Sequence, residues 1–236
     1  MTGQDVLSIT TNSHIRPHRC RNAIERVEPQ PLNILRFSPQ EHVFMQGDRL
    51  RGIYKVLKGT VICYRLMADG RRHIQSFVSG GEYLAVSFAE RHDVSAEALT
   101  DVEVLCTPRA AFDRHLESDM QFRRGILTMM GSKLRSAREQ ALLLARKNAM
   151  ERTASFLIFL DERFRNPKTG YVDIRMSRCD IADYLGLTLE TVSRMMNKLK
   201  QSGIIDLPQA TRFTVCKRAQ LIAMAGEVEG LEDLAA

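Results

Sequence analysis

One stretch limits the fold more than any other. From Ser177 the chain reads Ser-Arg-Cys-Asp-Ile-Ala-Asp-Tyr-Leu-Gly-Leu-Thr-Leu-Glu-Thr-Val-Ser-Arg-Met-Met-Asn-Lys-Leu, ending at Leu199. The small Ala182 is followed four positions on by Gly186, and Gly186 six positions on by the β-branched Val192. That spacing fits two helices that cross closely over a tight turn, a helix-turn-helix. Ser177 is placed to N-cap the first helix, with Asp180 as its capping-box partner. Ile181, Ala182 and Leu185 make its inner face, and Ala182 must be small where the second helix crosses. Gly186 ends the helix in the left-handed conformation that a side chain resists. Leu187 plugs the turn, Thr188 N-caps the second helix, and Val192, Met195 and Leu199 are its buried side.

The outer side of the second helix carries the chemistry. Glu190, Ser193 and Arg194 stand at i, i+3 and i+4 and so share one face in the first turns, beside Thr188 and Thr191. Residues in that position of a recognition helix reach base edges in the major groove. Arginine can fork onto guanine O6 and N7, and glutamate can accept from cytosine N4. The alternative use of Glu190 and Arg194 is a surface ion pair between themselves. Beyond the motif, Asn197–Gly203 reads as a helix end. Ile204-Ile205, a turn at Pro208–Ala210 and Arg212–Val215 then read as a hairpin wing. Lys198, Lys200 and Arg212 are expected to meet phosphates, which position a protein without specifying sequence, and Arg178 is a further DNA-binding candidate.

The rest of the chain divides by texture. From about Leu35 to Thr107, short apolar runs alternate with glycine turns. Strands are expected at Gly52–Leu57, Thr60–Leu66, His73–Val78 and Val102–Thr107, as in a sandwich, barrel or jelly roll. From Ala110 helix formers dominate. Leu127, Met130, Leu134, Ala137, Ala141 and Leu144 recur at steps of three and four, a heptad seam. Such a seam is buried either on the chain's own β-domain or against a second copy, and a homodimer is the favoured reading. A further helix is expected at Ala149–Phe164, ended by Asn166-Pro167, and a short strand at Tyr171–Met176.

Charge follows the same division. The chain carries a formal net charge of +6. Residues 146–220 hold fourteen lysines and arginines against eight acids, whereas residues 221–236 hold four acids and no base. A basic domain beside an acidic tail fits a polyanionic partner, double-stranded DNA. The five cysteines (Cys20, Cys63, Cys106, Cys179, Cys216) are widely spaced and lack a CxxC pair. That argues against a disulfide framework and a structural zinc site. No run approaches the roughly 20 apolar residues of a membrane span, and residues 1–31 lack a signal-peptide core, so the expected location is cytoplasmic. A β-roll could belong to a cupin-type metalloenzyme, but His42, His73 and His92 are isolated and form no facial triad. No enzyme activity and no metal are expected.

In this order of parts, over about residues 35–220, the sequence resembles the CRP/FNR superfamily of bacterial regulators. Glu190-Thr-Val-Ser-Arg194 is similar to the recognition sequence of its FNR and FixK branch. The resemblance implies an α+β chain: an N-terminal β-roll (a double-stranded jelly roll), a long dimerisation helix and a C-terminal winged helix-turn-helix. The implied segments are an arm at 1–31, the β-roll at 32–118, the dimer helix at 119–147, the DNA-binding domain at 148–222 and an acidic tail at 223–236. It also implies homodimeric binding to TTGA-N6-TCAA palindromes. Arg194 would read the guanine, Glu190 the opposite cytosine, and Ser193 the thymine edge or a phosphate. The branch mostly activates by touching RNA polymerase.

The departures narrow the branch. The FNR iron–sulfur centre needs an N-terminal cysteine cluster, and only Cys20 stands there. Ala85-Val86 falls where the cyclic-nucleotide cassette has Gly-Glu, and Val94-Ser95 near its Arg-Ser pair. The carboxylate for the ribose and the arginine for the phosphate are thus absent. The resemblance implies a FixK-like regulator of micro-oxic or nitrogen metabolism that works without a cofactor. Haem- or nitric-oxide-responsive and cyclic-nucleotide-responsive regulators of the same fold are the alternatives.

Two further expectations concern regulation. Cys179 lies beside Arg178 at the positive end of a helix dipole, a setting that activates a thiol. Oxidation there would add negative charge where phosphate must approach. The chain closes in Leu234-Ala-Ala236, which resembles tags read by ATP-dependent proteases.

Overall fold

The computed structural model describes residues 33–84, 86–87 and 89–226. The expected arm, the cysteine at position 20, Ala85, and the Leu-Ala-Ala terminus lie outside the described residues.

The first eight strands are β1 (Asn33–Phe37), β2 (His42–Phe44), β3 (Gly52–Lys58), β4 (Thr60–Leu66), β5 (Arg72–Ser79), β6 (Tyr83–Leu84), β7 (Ser95–Ala98) and β8 (Val102–Pro108). They form two four-stranded sheets, ordered β1-β8-β3-β6 and β2-β7-β4-β5, with antiparallel pairings. Their inner faces bury Val43, Tyr54, Val56, Val61, Cys63, Val78, Ala96, Val102 and Val104 in one cluster. This is a β-roll with its core between the sheets.

Two helices follow, α1 (Arg109–Ser118) and α2 (Met120–Arg146). Asp119 separates them. Its extended backbone breaks the helix, and its carboxylate accepts from the N–H groups of Gln121 and Phe122 to cap α2. α2 has two apolar faces. Ile126 is buried, and Phe122 and Met129 pack beside it on the β-roll. The Lys133 ammonium reaches from the same side to donate to Tyr83 O at 2.6 Å, and burial lowers its pKa. The adjoining face leaves Leu127, Met130 and Leu134 exposed at 62%, 38% and 54%, with Ala137 and Ala141 also open.

Leu144 leaves that face. Its Cδ2 lies 3.4 Å from where a Cβ would stand on Gly186, so it packs at the helix-turn-helix. A straight α-helix drifts about 20° per heptad. Over the two heptads from Met130, the drift carries Leu144 toward the face of Ile126.

The C-terminal domain comprises α3 (Ala149–Phe164), β9 (Val172–Asp173), α4 (Arg178–Leu185), α5 (Leu189–Gln201), β10 (Ile205–Gln209), β11 (Arg212–Val215) and α6 (Arg218–Met224). The sheet order is β10-β11-β9. β9 is shorter than the strand expected at Tyr171–Met176, because only Val172 and Asp173 find partners on β11. Pro208 lies inside β10, and the wing turns at Ala210-Thr211. One buried cluster joins Phe156, Leu157 and Leu160 of α3 to Ile181 and Leu185 of α4, Val192, Met196 and Leu199 of α5, and Phe213 of β11.

Candidate nucleic-acid interface

The local structure of α4 and α5 follows from their capping residues. Ser177 and Asp180 form a reciprocal capping box: the Ser177 side chain accepts from the N–H of Asp180, and Asp180 Oδ2 accepts from Ser177 N–H at 2.9 Å. Gly186 closes α4 at φ 60° in the left-handed region, where an L side chain would cost about 1–2 kcal/mol. Thr188 then caps α5 by accepting from Thr191 N–H at 3.2 Å. Val192, Met195, Met196 and Leu199 fill the inner side of α5.

This packing presents the other side outward. Glu190, Arg194 and Lys198 are exposed, and Thr191 and Ser193 half-buried. No ion pair joins Glu190 to Arg194 among the described residues, so the self-pairing alternative does not describe this face. The Glu190 carboxyl is held below the usual carboxylate range by its own backbone N–H and by the Thr188 hydroxyl. It is therefore an anion at neutral pH, which can only accept hydrogen bonds. Arg194 can only donate. A donor and an acceptor thus stand side by side on an exposed helix face, the pair of groups that the edge of a G·C pair complements.

The surrounding cations are not equally free. The Arg178 guanidinium turns inward, donating from Nη2 to Ala210 O in the wing turn at 2.8 Å and resting against the Met196 sulfur. Burial lowers its pKa. Lys200 Nζ donates to Leu207 O at 3.0 Å, and Arg212 Nε bonds Asp173 Oδ1 at 2.7 Å. These three, expected at DNA and two of them at phosphates, brace the wing in this geometry. Cys179 is exposed near the start of α4.

Sequence reasoning did not single out Arg152. Its guanidinium donates to the carbonyls of Leu144, Lys147 and Leu185 at 2.8, 2.8 and 3.0 Å. It thereby satisfies free carbonyls near the ends of both α2 and α4. Only the carbonyls' convergence in space identifies it, and no local pattern announces that.

The β-roll lacks a grip for a cyclic-nucleotide phosphate at Val94-Ser95, the segment near the family's Arg-Ser pair. Val94 is buried and apolar, and the Ser95 hydroxyl accepts from Gln46 N–H at 3.0 Å. His92 is buried, its ring stacked on Phe44 with centroids 3.7 Å apart. A buried valine and an engaged serine at the phosphate-gripping position do not fit that anion. Among the described residues, no group of three metal-ligating side chains could hold an ion, and no helix is long and apolar enough to cross a membrane.

Comparison with known proteins agrees with both halves of the chain. Residues 151–224 match the Crp-like helix-turn-helix domain family and residues 34–119 the cyclic nucleotide-binding domain family. The chain is 40% identical over 173 residues to the nitrogen fixation regulation protein FixK of Bradyrhizobium diazoefficiens, spanning 72% of this chain and 73% of that protein. It is 36% identical over 199 residues to the FixK of Rhizobium meliloti, spanning 82% and 90%. The structure of FixK2 from Bradyrhizobium japonicum superposes with a TM-score of 0.79 at 33% identity, covering 85% of this chain and 100% of that one. With a β-roll, an amphipathic connecting helix and a winged helix-turn-helix, the chain belongs to the CRP/FNR family and is a FixK-like DNA-binding transcription regulator.

Proposed function

We propose that the chain binds a TTGA-N6-TCAA-like palindrome as a homodimer and controls genes of micro-oxic or nitrogen metabolism. It does so without a cyclic nucleotide or an iron–sulfur cluster. The observation that carries this is the outward face of α5, where Arg194 and the ionised Glu190 stand free of each other. Arg194 takes the guanine and Glu190 the cytosine. Ser193, Thr191 and Thr188 line the approach, and Lys198 meets a phosphate. Two α5 helices are brought to successive major grooves by pairing the exposed Leu127, Met130, Leu134, Ala137 and Ala141 of α2. The same dimer acts in the cytoplasm as an activator that contacts RNA polymerase. The names of the FixK relatives support the nitrogen reading.

The test is a gel shift of reduced protein on this duplex at stated salt with no ligand added. The control duplex has the half-site G·C pairs replaced. Specific binding is expected, and Arg194→Ala should cost about 1–3 kcal/mol of discrimination at that pair. Equal binding to both duplexes would reject the half-site.

Cys179 gives this function a redox input. Its exposed thiol lies beside the helix that reads DNA, and sulfinate there would repel phosphate. Peroxide should weaken binding by the natural chain and leave Cys179→Ser unaffected. Equal sensitivity of the two would remove Cys179 from the mechanism.

A further inference from the structure

The DNA-binding domain is packed on the β-roll. Ile62, Tyr64, Ile74 and Phe77 of β4 and β5 share the buried cluster of α3, α4 and α5. The Phe77 ring lies 6.0 Å from that of Phe156 and 5.0 Å from that of Tyr184. Polar contacts cross the same seam. Arg175 Nη1 donates to Thr60 Oγ1 at 3.0 Å, and Arg163 pairs with Glu82.

At its centre stands Arg72 of β5. Its Nη2 lies 2.6 Å from Asp180 Oδ1 and 3.3 Å from Asp183 Oδ2, both on α4. Its Nη1 is 3.7 Å from Glu97 Oε2 of β7, and its guanidinium lies 5.2 Å from the Tyr64 ring centroid. His42 of β2 completes the group, with Nε2 2.8 Å from the Tyr64 hydroxyl and 3.6 Å from Glu97. A guanidinium has five donors in a fixed plane, enough to serve several carboxylates at once.

Asp180 is used from both sides. Its Oδ2 accepts from the N–H and hydroxyl of Ser177, which starts α4. Its Oδ1 accepts from Arg72. The carboxylate that begins the helix-turn-helix is therefore held by the β-roll. We propose that Arg72 is a positioning residue for DNA reading: by clamping Asp180 it sets the placement of α4, and through the α4–α5 packing that of the base-reading face. The clamp does the work of an effector with a side chain already present. It rests on the reading that α5 meets DNA.

The experiment uses the full chain with Arg72→Gln and Arg72→Lys. Affinity for the palindrome is measured across a salt series, and hydrogen exchange at residues 178–185 without DNA. Arg72→Gln should bind about tenfold more weakly, a usual size for coupling between sites. Its salt slope should stay unchanged, because Arg72 meets no phosphate. Its α4 amides should exchange faster, and lysine should restore part of both effects. Unchanged affinity with a lowered melting temperature would make Arg72 merely structural and overturn the proposal. Tighter binding would also overturn it, by making the contact a restraint on DNA binding. If the natural chain fails to prefer the palindrome, the half-site reading falls. The exchange data still decide the clamp, since unchanged α4 protection in Arg72→Gln refutes it.

Discussion

The basic side chains near α5 differ in what they already hold, and that difference is measurable. Lys198 and Arg194 are exposed, while Arg178 donates to the wing carbonyl of Ala210. Each phosphate contact adds about one to the slope of log affinity against log salt. Lys198→Ala should reduce that slope by about one. Arg178→Ala should weaken binding with the slope unchanged, because the residue shapes the reader. Fluorescence anisotropy over a salt series separates the two, and a lowered slope for Arg178→Ala would place that residue at a phosphate. Local structure set by local sequence was legible here: the Ser177–Asp180 box, the Gly186 turn, and the exposure of Glu190 and Arg194 on the outer side of α5. The engagement of Arg178, Lys200 and Arg212 was not, because their partners (Ala210, Leu207 and Asp173) are brought near only by the folded wing. His92 offers a second test. Burial against Phe44 lowers its pKa from the ordinary 6.5. The unfolded chain then takes up the proton first, so stability present above pH 6.5 is lost as pH falls toward the depressed folded value. Melting temperature should drop on acidification below about 6.5. His92→Phe should remove that part of the slope, and identical pH profiles would show that His92 does not contribute.

At the scale of elements, periodic segments were readable and brief ones were not. β4 and α3 stand where the apolar pattern put them. β2, β6 and β7 span only two to four residues, too short for any periodicity to show. The pause between α1 and α2 falls where the resemblance put the start of the long helix, at 119, although composition alone does not mark it, because Asp119 interrupts a run of helix formers. The α2 seam shows what a heptad can and cannot say. It located the exposed stripe of Leu127, Met130 and Leu134, and it missed the rotation that removes Leu144. In the proposed dimer, a charge at the middle of that stripe has no escape from burial. Leu134→Glu should shift sedimentation from dimer to monomer and abolish the gel shift while leaving the secondary structure by circular dichroism intact. A dimer that survives this change would place the interface elsewhere.

At the scale of the molecule, the order of parts was legible and their mutual packing was not. Nothing local in the sequence links Arg72 to Asp180, more than a hundred residues away. Phe77 reads as an ordinary strand residue until α3 and α4 fold against it. Texture reveals what each segment becomes, and contacts between segments depend on shapes that exist only after folding. The three-carbonyl grip of Arg152 carries one consequence at this scale. It bolts the end of α2 to the reading domain, so each long helix acts as a lever with a reading head fixed to its tip. In a pair of such levers, the angle at which the two shafts cross becomes the gauge of the distance between the heads. In the proposed complex, the six unread base pairs of the palindrome would be a length set by apolar residues that never approach DNA, and a change of side-chain size on the shafts would retune which spacing the dimer prefers.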